Sequence, residues 1–262
     1  MAIPLSRFYD KSWDEIRQLK SPKQRRLLAH ALTGGLFMFL YLALLYLSVG
    51  LISTGIALTL FFTYPVFTAL LSWRLLNSSL SRYRWVVMGF VLLGSALTIP
   101  HSSASDAQAS WLGVVLGIAS GLTYALYSVN AQKSFELMHP VPFTWISFAT
   151  AMVLSGIGLA MGLASGYEST PNLPWTALWI GGLLSAIATS VGHLLNNFGI
   201  RVIGATTAAM VGATNPALTT LLAWITIQES LNSVQILGIV VVTLSIAALG
   251  REPQKVSANA AE

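Results

Sequence analysis

The chain has 262 residues, of which 55% are hydrophobic and only 9% are charged, with a formal net charge of +5. Its mean hydropathy of +0.69 lies outside the usual balance of a soluble globular domain. The composition therefore excludes an ordinary soluble domain and indicates a membrane protein.

Long uncharged segments predict about eight transmembrane helices. About 20 apolar residues cross the hydrocarbon core as a helix, and the first uncharged run, 32–73, suffices for two crossings when it is divided at 50–53. The predicted spans are 31–49, 54–76, 85–100, 111–131, 142–165, 176–199, 204–226 and 234–250. Segments this long satisfy their backbone hydrogen bonds in a bilayer only as helices, so we predict an all-α polytopic integral membrane protein.

The basic residues predict the orientation of these spans. Lysine and arginine accumulate in short cytoplasmic loops, and with eight spans all 14 of them fall on one side. We therefore expect a multi-pass protein of the plasma (inner) membrane with both termini cytoplasmic, comprising an N-terminal segment 1–30 and a tail 251–262. The positive charge reflects topology, so no nucleic-acid partner is expected.

A stretch in the second span recurs in the seventh. "TYPVFTALLSW" at 63–73 and "TNPALTTLLAW" at 214–224 share six of eleven residues, and the match extends to Gly89 and Gly238 after a two-residue slip. Five crossings separate the two copies, so they run in opposite directions through the membrane. Inverted repeats of this kind characterise secondary transporters, whose site lies near the midplane where broken helices meet. Chance similarity is the alternative, although it seldom preserves Thr, Pro and Trp in register.

Three segments resemble the EamA-like members of the drug/metabolite transporter (DMT) superfamily. They are "LYLALLYLSVGLISTGIALTLFFTYPVFTALLSW" at 40–73, "GVVLGIASGLTYALYSVNAQK" at 113–133 and "NNFGIRVIGATTAAMVGATNPALTTLLAWITIQESL" at 196–231. The resemblance implies two five-helix halves around a central substrate cavity. It also implies transport of small metabolites, amino acids or drugs, often outward, without a cofactor.

The chain departs from that pattern in its first half. Residues 31–100 hold three predicted helices, a partial first repeat, whereas 111–250 hold five, a complete second repeat. Either the family's first two helices are missing and Met1 is an internal or misassigned start, or the chain is a true eight-helix variant. In addition, Glu229 follows the proline helix of the second copy, but Ser78 stands at the equivalent place in the first.

Polar residues of the sixth span predict a transport path. Ser185, Thr189, His193 and Asn196 follow spacings of four, four and three, which places them on one helical face. Polar groups inside a bilayer usually face the bundle interior or water, so a cavity lining and interhelical hydrogen bonding are the two interpretations. His193 is either a titrating group that couples proton movement or a neutral hydrogen-bonded ring.

Two tyrosines of the fourth span are further candidates. The rings of Tyr124 and Tyr127 could enclose an apolar or cationic solute, whereas their hydroxyls alternatively lie at the membrane interface.

The two repeated prolines predict hinges. Pro65 and Pro216 each remove a backbone donor and expose polar backbone near mid-depth, so we expect their helices to bend there. Tyr64 and Asn215 precede them and differ between the copies, which predicts substrate contacts. A purely structural kink is the alternative.

These features predict a secondary transporter that works by alternating access of two inverted repeats, and the resemblance implies that it works as an exporter without a cofactor. We expect no enzyme activity, catalytic residue or metal, because the sequence has no paired intramembrane carboxylates, nucleophile elbow or zinc-type spacing. The expected partners are a small-molecule substrate and the lipid bilayer, with a homodimer left open. The alternative is a non-transporting truncated membrane protein, or a subunit that needs a partner chain.

Overall fold

The protein is an all-helical bundle in the part of the chain that the structure describes. This computed structural model describes residues 21–52, 54–77, 81–98, 110–164, 175–227 and 232–250. Within these ranges the chain forms α1 Ser21–Val49, α2 Thr54–Phe61, α3 Tyr64–Leu76, α4 Arg82–Thr98, α5 Trp111–Ser134, α6 Pro140–Ala164, α7 Trp175–Ile203, α8 Ala205–Gly212, α9 Asn215–Ile227 and α10 Ser233–Gly250. The prediction of an all-α polytopic membrane protein is confirmed.

Within the described residues, five helical segments have the length and hydropathy to cross a membrane. They are Pro22–Val49, Thr54–Leu76, Trp111–Ser134, Pro140–Met161 and Ala205–Thr226, and Ser233–Ser245 forms a shorter apolar helix. Two of the five are divided, because Thr54–Leu76 contains α2 and α3, and Ala205–Thr226 contains α8 and α9. When each divided pair counts as one crossing, the helices follow the order of the eight predicted spans.

The first helix begins earlier than its predicted span. The sequence predicts a start at 31, where the charged residues end, but α1 starts at Ser21. Pro22 in the first turn favours a helix start because the first backbone donors of a helix need no intrahelical partner. Long basic side chains such as Arg25 and Arg26 remain hydrated while the backbone is already helical.

The main hydrophobic core lies at the end of the bundle where α1 begins. Leu27, Phe135, Phe143, Ile200 and Ala205 are all buried there. They come from the beginnings of α1, α6 and α8, the end of α7, and the residue that follows α5. The bundle is therefore closed by packed side chains at this end.

A glycine contact joins α4 to α10. A Cβ atom placed on Gly238 would lie 2.7 Å from the carbonyl oxygen of Gly94, and one on Gly94 would lie 3.0 Å from that of Gly238. The two backbones approach this closely because neither residue has a side chain, as small residues allow in membrane helix pairs. Gly89, which the repeat pairs with Gly238, has no atom within 4 Å of the position that a Cβ atom would take.

The two positions that follow the proline helices, Ser78 and Glu229, lie outside the described residues. The inverted orientation of the two copies remains a prediction.

Candidate functional site

The two repeated segments break their helices in the same way. α2 ends at Phe61 and α3 begins at Tyr64, whereas α8 ends at Gly212 and α9 begins at Asn215. In each break a threonine hydroxyl donates to the carbonyl three residues earlier. Thr63 bonds Leu60 and Thr214 bonds Val211, both at 2.6 Å. The shared Thr-x-Pro sequence thus produces one local geometry twice, with the proline inside the first turn of the second half-helix.

A cavity of about 550 Å³ lies beside both breaks. Its lining comes from α3, α5, α7, α8 and α9. Six of the predicted contact residues line it, namely Tyr64, Tyr124, Thr189, His193, Asn196 and Asn215. Tyr64 and Asn215 are the residues that precede the two prolines, so both copies of the repeated sequence contribute to one wall.

The cavity is polar without being charged. Among the described residues that line it there is no Asp, Glu, Lys or Arg, and His193 is its only residue with a side chain that titrates near neutral pH. Hydroxyl, amide and imidazole groups alternate with apolar side chains. Such a lining offers hydrogen bonds to a neutral or zwitterionic solute and no fixed countercharge to an ion.

The cavity is not enclosed on all sides. Three of its lining residues, Leu195, Val211 and Leu218, are 65, 43 and 53% exposed. These residues belong to α7, α8 and α9, so the opening lies along these helices, whereas buried side chains pack together at the end of the bundle where α1 begins.

His193 has hydrogen-bonding partners on both ring nitrogens. Nδ1 lies 3.0 Å from the carbonyl oxygen of Thr189, and Nε2 lies 3.1 Å from the hydroxyl of Tyr41. A carbonyl only accepts, so Nδ1 carries the hydrogen, and Nε2 accepts from the tyrosine in the neutral ring. The same contacts also suit a protonated ring, which would donate to both partners, so the neutral and the proton-coupling interpretations of His193 both remain predictions.

Tyr41 belongs to an aromatic cluster that the sequence patterns do not single out. Its ring centroid lies 5.0 Å from that of Tyr124 and 6.0 Å from that of Phe61, and the rings of Tyr64 and Tyr124 are 4.7 Å apart. The one sequence feature that could have identified Tyr41 is the repeat itself. The two copies of the repeat are 151 positions apart, so His193 corresponds to Leu42, the residue next to Tyr41.

Two other predicted residues do not line the cavity. Tyr127 is 0% exposed, and Asn197 donates from Nδ2 to its hydroxyl at 2.9 Å and to the hydroxyl of Thr144 at 2.8 Å. These bonds join α5, α6 and α7 inside the core. Ser185 is exposed on α7, one turn beyond Thr189, because the stripe continues past the end of the cavity.

The hinge candidates lie where each second half-helix begins. Pro65 is the second residue of α3 and is buried, and Pro216 is the second residue of α9. The helices are therefore divided at these positions, where the sequence predicts a bend.

Comparison with known proteins identifies relatives over most of the chain. It is 54% identical to the uncharacterized transporter sll1319 of Synechocystis sp. over 252 residues, which cover 96% of this chain and 75% of the relative. It is 24% identical to the threonine/homoserine exporter RhtA of Salmonella typhimurium over 243 residues, or 90% of this chain and 77% of that one. The first of these relatives is named as a transporter and the second as an exporter.

The fold is also that of a known structure. A crystal structure with 16% sequence identity superposes with a TM-score of 0.69 and covers 93% of this chain and 80% of its own. A sequence model of the EamA-like transporter family matches residues 4–99 and 111–251. The resemblance found in the sequence is confirmed, and the chain belongs to the EamA-like transporter family.

Proposed function

We propose that this chain is a secondary transporter that exports small metabolites, amino acids or drugs across the cytoplasmic membrane. One observation carries the proposal: both broken helices place the residue before their proline in the wall of a single cavity. Transporters with inverted repeats bind their substrate where broken helices of the two repeats meet.

The proposed mechanism is alternating access. Two inverted repeats rock around the cavity, and the breaks at Thr63 and Thr214 supply the flexible points. With both termini cytoplasmic, the packed end of the bundle faces the cytoplasm, so the structure corresponds to a state closed on that side. The return to a cytoplasm-open state would load the solute for export.

The cavity favours uncharged or zwitterionic solutes. Its described lining has no Asp, Glu, Lys or Arg, and its polar groups are hydroxyls, amides and one imidazole. The relative RhtA is named as an exporter of threonine and homoserine, which are small zwitterions. Amino acids are therefore the first solutes to test.

Flux through the purified chain in liposomes tests this proposal. We expect His193→Ala, Tyr124→Phe and Asn215→Ala each to reduce amino-acid flux by about tenfold, equivalent to roughly 1.4 kcal/mol of lost interaction. Thr243→Ala is the matched control, because Thr243 lies on the exposed side of α10 away from the cavity. Unchanged flux in all three variants, with thermal melting equal to that of the unmodified chain, would contradict the site assignment.

A second candidate function is a subunit that needs a partner chain. At the offset of the repeat, α1 corresponds to α7. The two helices are packed unequally, and this difference favours the second candidate. α1 is packed against α5 and α6, whereas Ile180, Leu183 and Leu195 of α7 are 62, 63 and 65% exposed. A homodimer joined through α7 is the simplest form of this alternative, and it would also cover the open side of the cavity.

Mass measurement of the reconstituted protein separates the two candidates. A subunit would run as two or more chains, and Leu183→Trp would dissociate them and stop flux. A single chain that sustains flux would exclude the partner requirement.

A further inference from the structure

We propose that a recess beside the main cavity is an apolar subsite, which binds the hydrophobic end of an amphipathic solute. The proposal rests on the proposed transport function and specifies its substrate class. The recess has a volume of about 200 Å³. Its lining includes Tyr41, Leu45, Phe61, Tyr64 and Tyr124.

The recess is an extension of the main cavity. Tyr64, Tyr124, His193 and Asn215 line both spaces, so the two are adjacent, and the proposed solute would extend from one into the other. Sites for whole drug-sized ligands commonly measure about 300–1,000 Å³. The main cavity falls in this range, whereas the recess fits only a group of side-chain size.

The recess offers ring surfaces, because the hydroxyls of two of its tyrosines are bonded to protein. The Tyr41 hydroxyl is 3.1 Å from His193 Nε2, and the Tyr64 hydroxyl donates to the Ala209 carbonyl at 3.1 Å. With these two hydroxyls paired, an apolar group enters without leaving either of them unsatisfied.

The rings are held in place before any solute enters. Tyr41, Phe61, Tyr64 and Tyr124 form a continuous set of ring contacts with centroid separations from 4.7 to 6.0 Å. Tyr41 and Tyr64 are only 5 and 3% exposed. A preformed apolar wall binds without the cost of ordering its side chains.

The main cavity supplies the complementary polar contact. Asn196 lines that cavity, and its buried Nδ2 group has no hydrogen-bond partner. A donor in this position fits a carbonyl or carboxylate oxygen of the solute. The geometry thus specifies a polar end with an acceptor in the main cavity and an apolar end in the recess.

Ligand-induced thermal shifts of the full-length purified chain test the subsite. One series is glycine, alanine, leucine and phenylalanine, which share a zwitterionic head, and a second is acetate, butyrate and phenylacetate. Ligands that bind only the folded chain raise its melting temperature according to their affinity. We expect the affinity to increase along each series by about fourfold for each methylene buried.

Filling the recess should remove this dependence. Leu45→Trp places an indole in it, whereas Leu47→Trp adds the same indole at a residue of α1 that is 59% exposed. We expect Leu45→Trp to abolish the preference for leucine and phenylalanine over glycine, and Leu47→Trp to retain it. Leu45→Ala enlarges the recess and should shift the preference to the larger members, which keeps the test decisive if Leu45→Trp fails to fold.

The outcomes distinguish the subsite from transport itself. Affinity that does not depend on the apolar end, no binding by either series, or equal effects of the two tryptophan variants would overturn the subsite. Size-dependent binding that Leu45→Trp abolishes, in a chain that supports no flux, would leave the subsite standing and refute the transport proposal.

Discussion

Gly212→Ala is expected to reduce solute flux by at least about tenfold while the bundle stays folded. The added methyl group would contact the Tyr64 hydroxyl, which donates to the Ala209 carbonyl one turn earlier. The Tyr64 ring cannot move aside freely, since it lies against Phe61 and Tyr124. The added methyl group therefore displaces a side chain of the cavity wall, and a loss of about 1.4 kcal/mol of interaction with the solute corresponds to a tenfold loss of affinity.

A double variant tests whether contact with Tyr64 causes the loss of flux in Gly212→Ala. Tyr64→Phe removes the hydroxyl that meets the new methyl group, so Gly212→Ala combined with Tyr64→Phe should recover flux to the level of Tyr64→Phe alone. Gly182→Ala is the control, because nothing lies within 4 Å of its Cβ position. Failure of the double variant to recover flux would contradict the contact between these two residues.

Gly238→Leu is expected to produce the largest loss of stability. Even a Cβ atom there would lie 2.7 Å from the Gly94 carbonyl oxygen and 2.8 Å from Cγ2 of Thr98. The obstacle includes backbone, so the side chain can be accommodated only if α4 and α10 separate. We expect a cost of about 1–3 kcal/mol or more, seen as a lower melting temperature of the purified chain.

Gly89→Ala provides the matched control for that variant. Gly89 lies on α4 like Gly94, but its Cβ position has no atom within 4 Å. Alanine is favoured over glycine in a helix by up to about 1 kcal/mol, so this variant should melt at the same temperature or higher. Equal melting of Gly238→Leu and the unmodified chain would show that the two helices do not cross closely.

The spans could be predicted from the sequence because they depend on local properties. Hydropathy and length identify each crossing without knowledge of its neighbours, and Thr63 and Thr214 mark their breaks through backbone chemistry confined to a few residues. The starting residue of α1 is harder to predict from the sequence, because a helix can extend beyond the apolar segment when its basic side chains reach water.

The candidate site was predictable only in part. Helical periodicity predicts Ser185, Thr189, His193 and Asn196 on one face, and the last three line the cavity. Periodicity does not say where along a helix the cavity ends, which is why it also predicts Ser185. The hydrogen bond between His193 and Tyr41 joins residues 152 positions apart. Contacts of that kind depend on how helices pack, which a single sequence does not encode in any local pattern.

Glycine packing illustrates the same limit. The repeat pairs Gly89 with Gly238, yet the residue that lies against Gly238 is Gly94. The repeat identifies positions that correspond in sequence. Which residues contact each other depends instead on where two helices cross.

The central claim, alternating access to the shared cavity, is tested most directly by thiol labelling of Asn215→Cys. The natural chain has no cysteine, so a membrane-impermeant reagent added to sealed vesicles of either orientation reports this position alone. We predict labelling from both sides of the membrane, with a Ser78→Cys control labelled only from the cytoplasmic side. Labelling of Asn215→Cys from one side only, under conditions that support flux in the unmodified chain, would contradict alternating access.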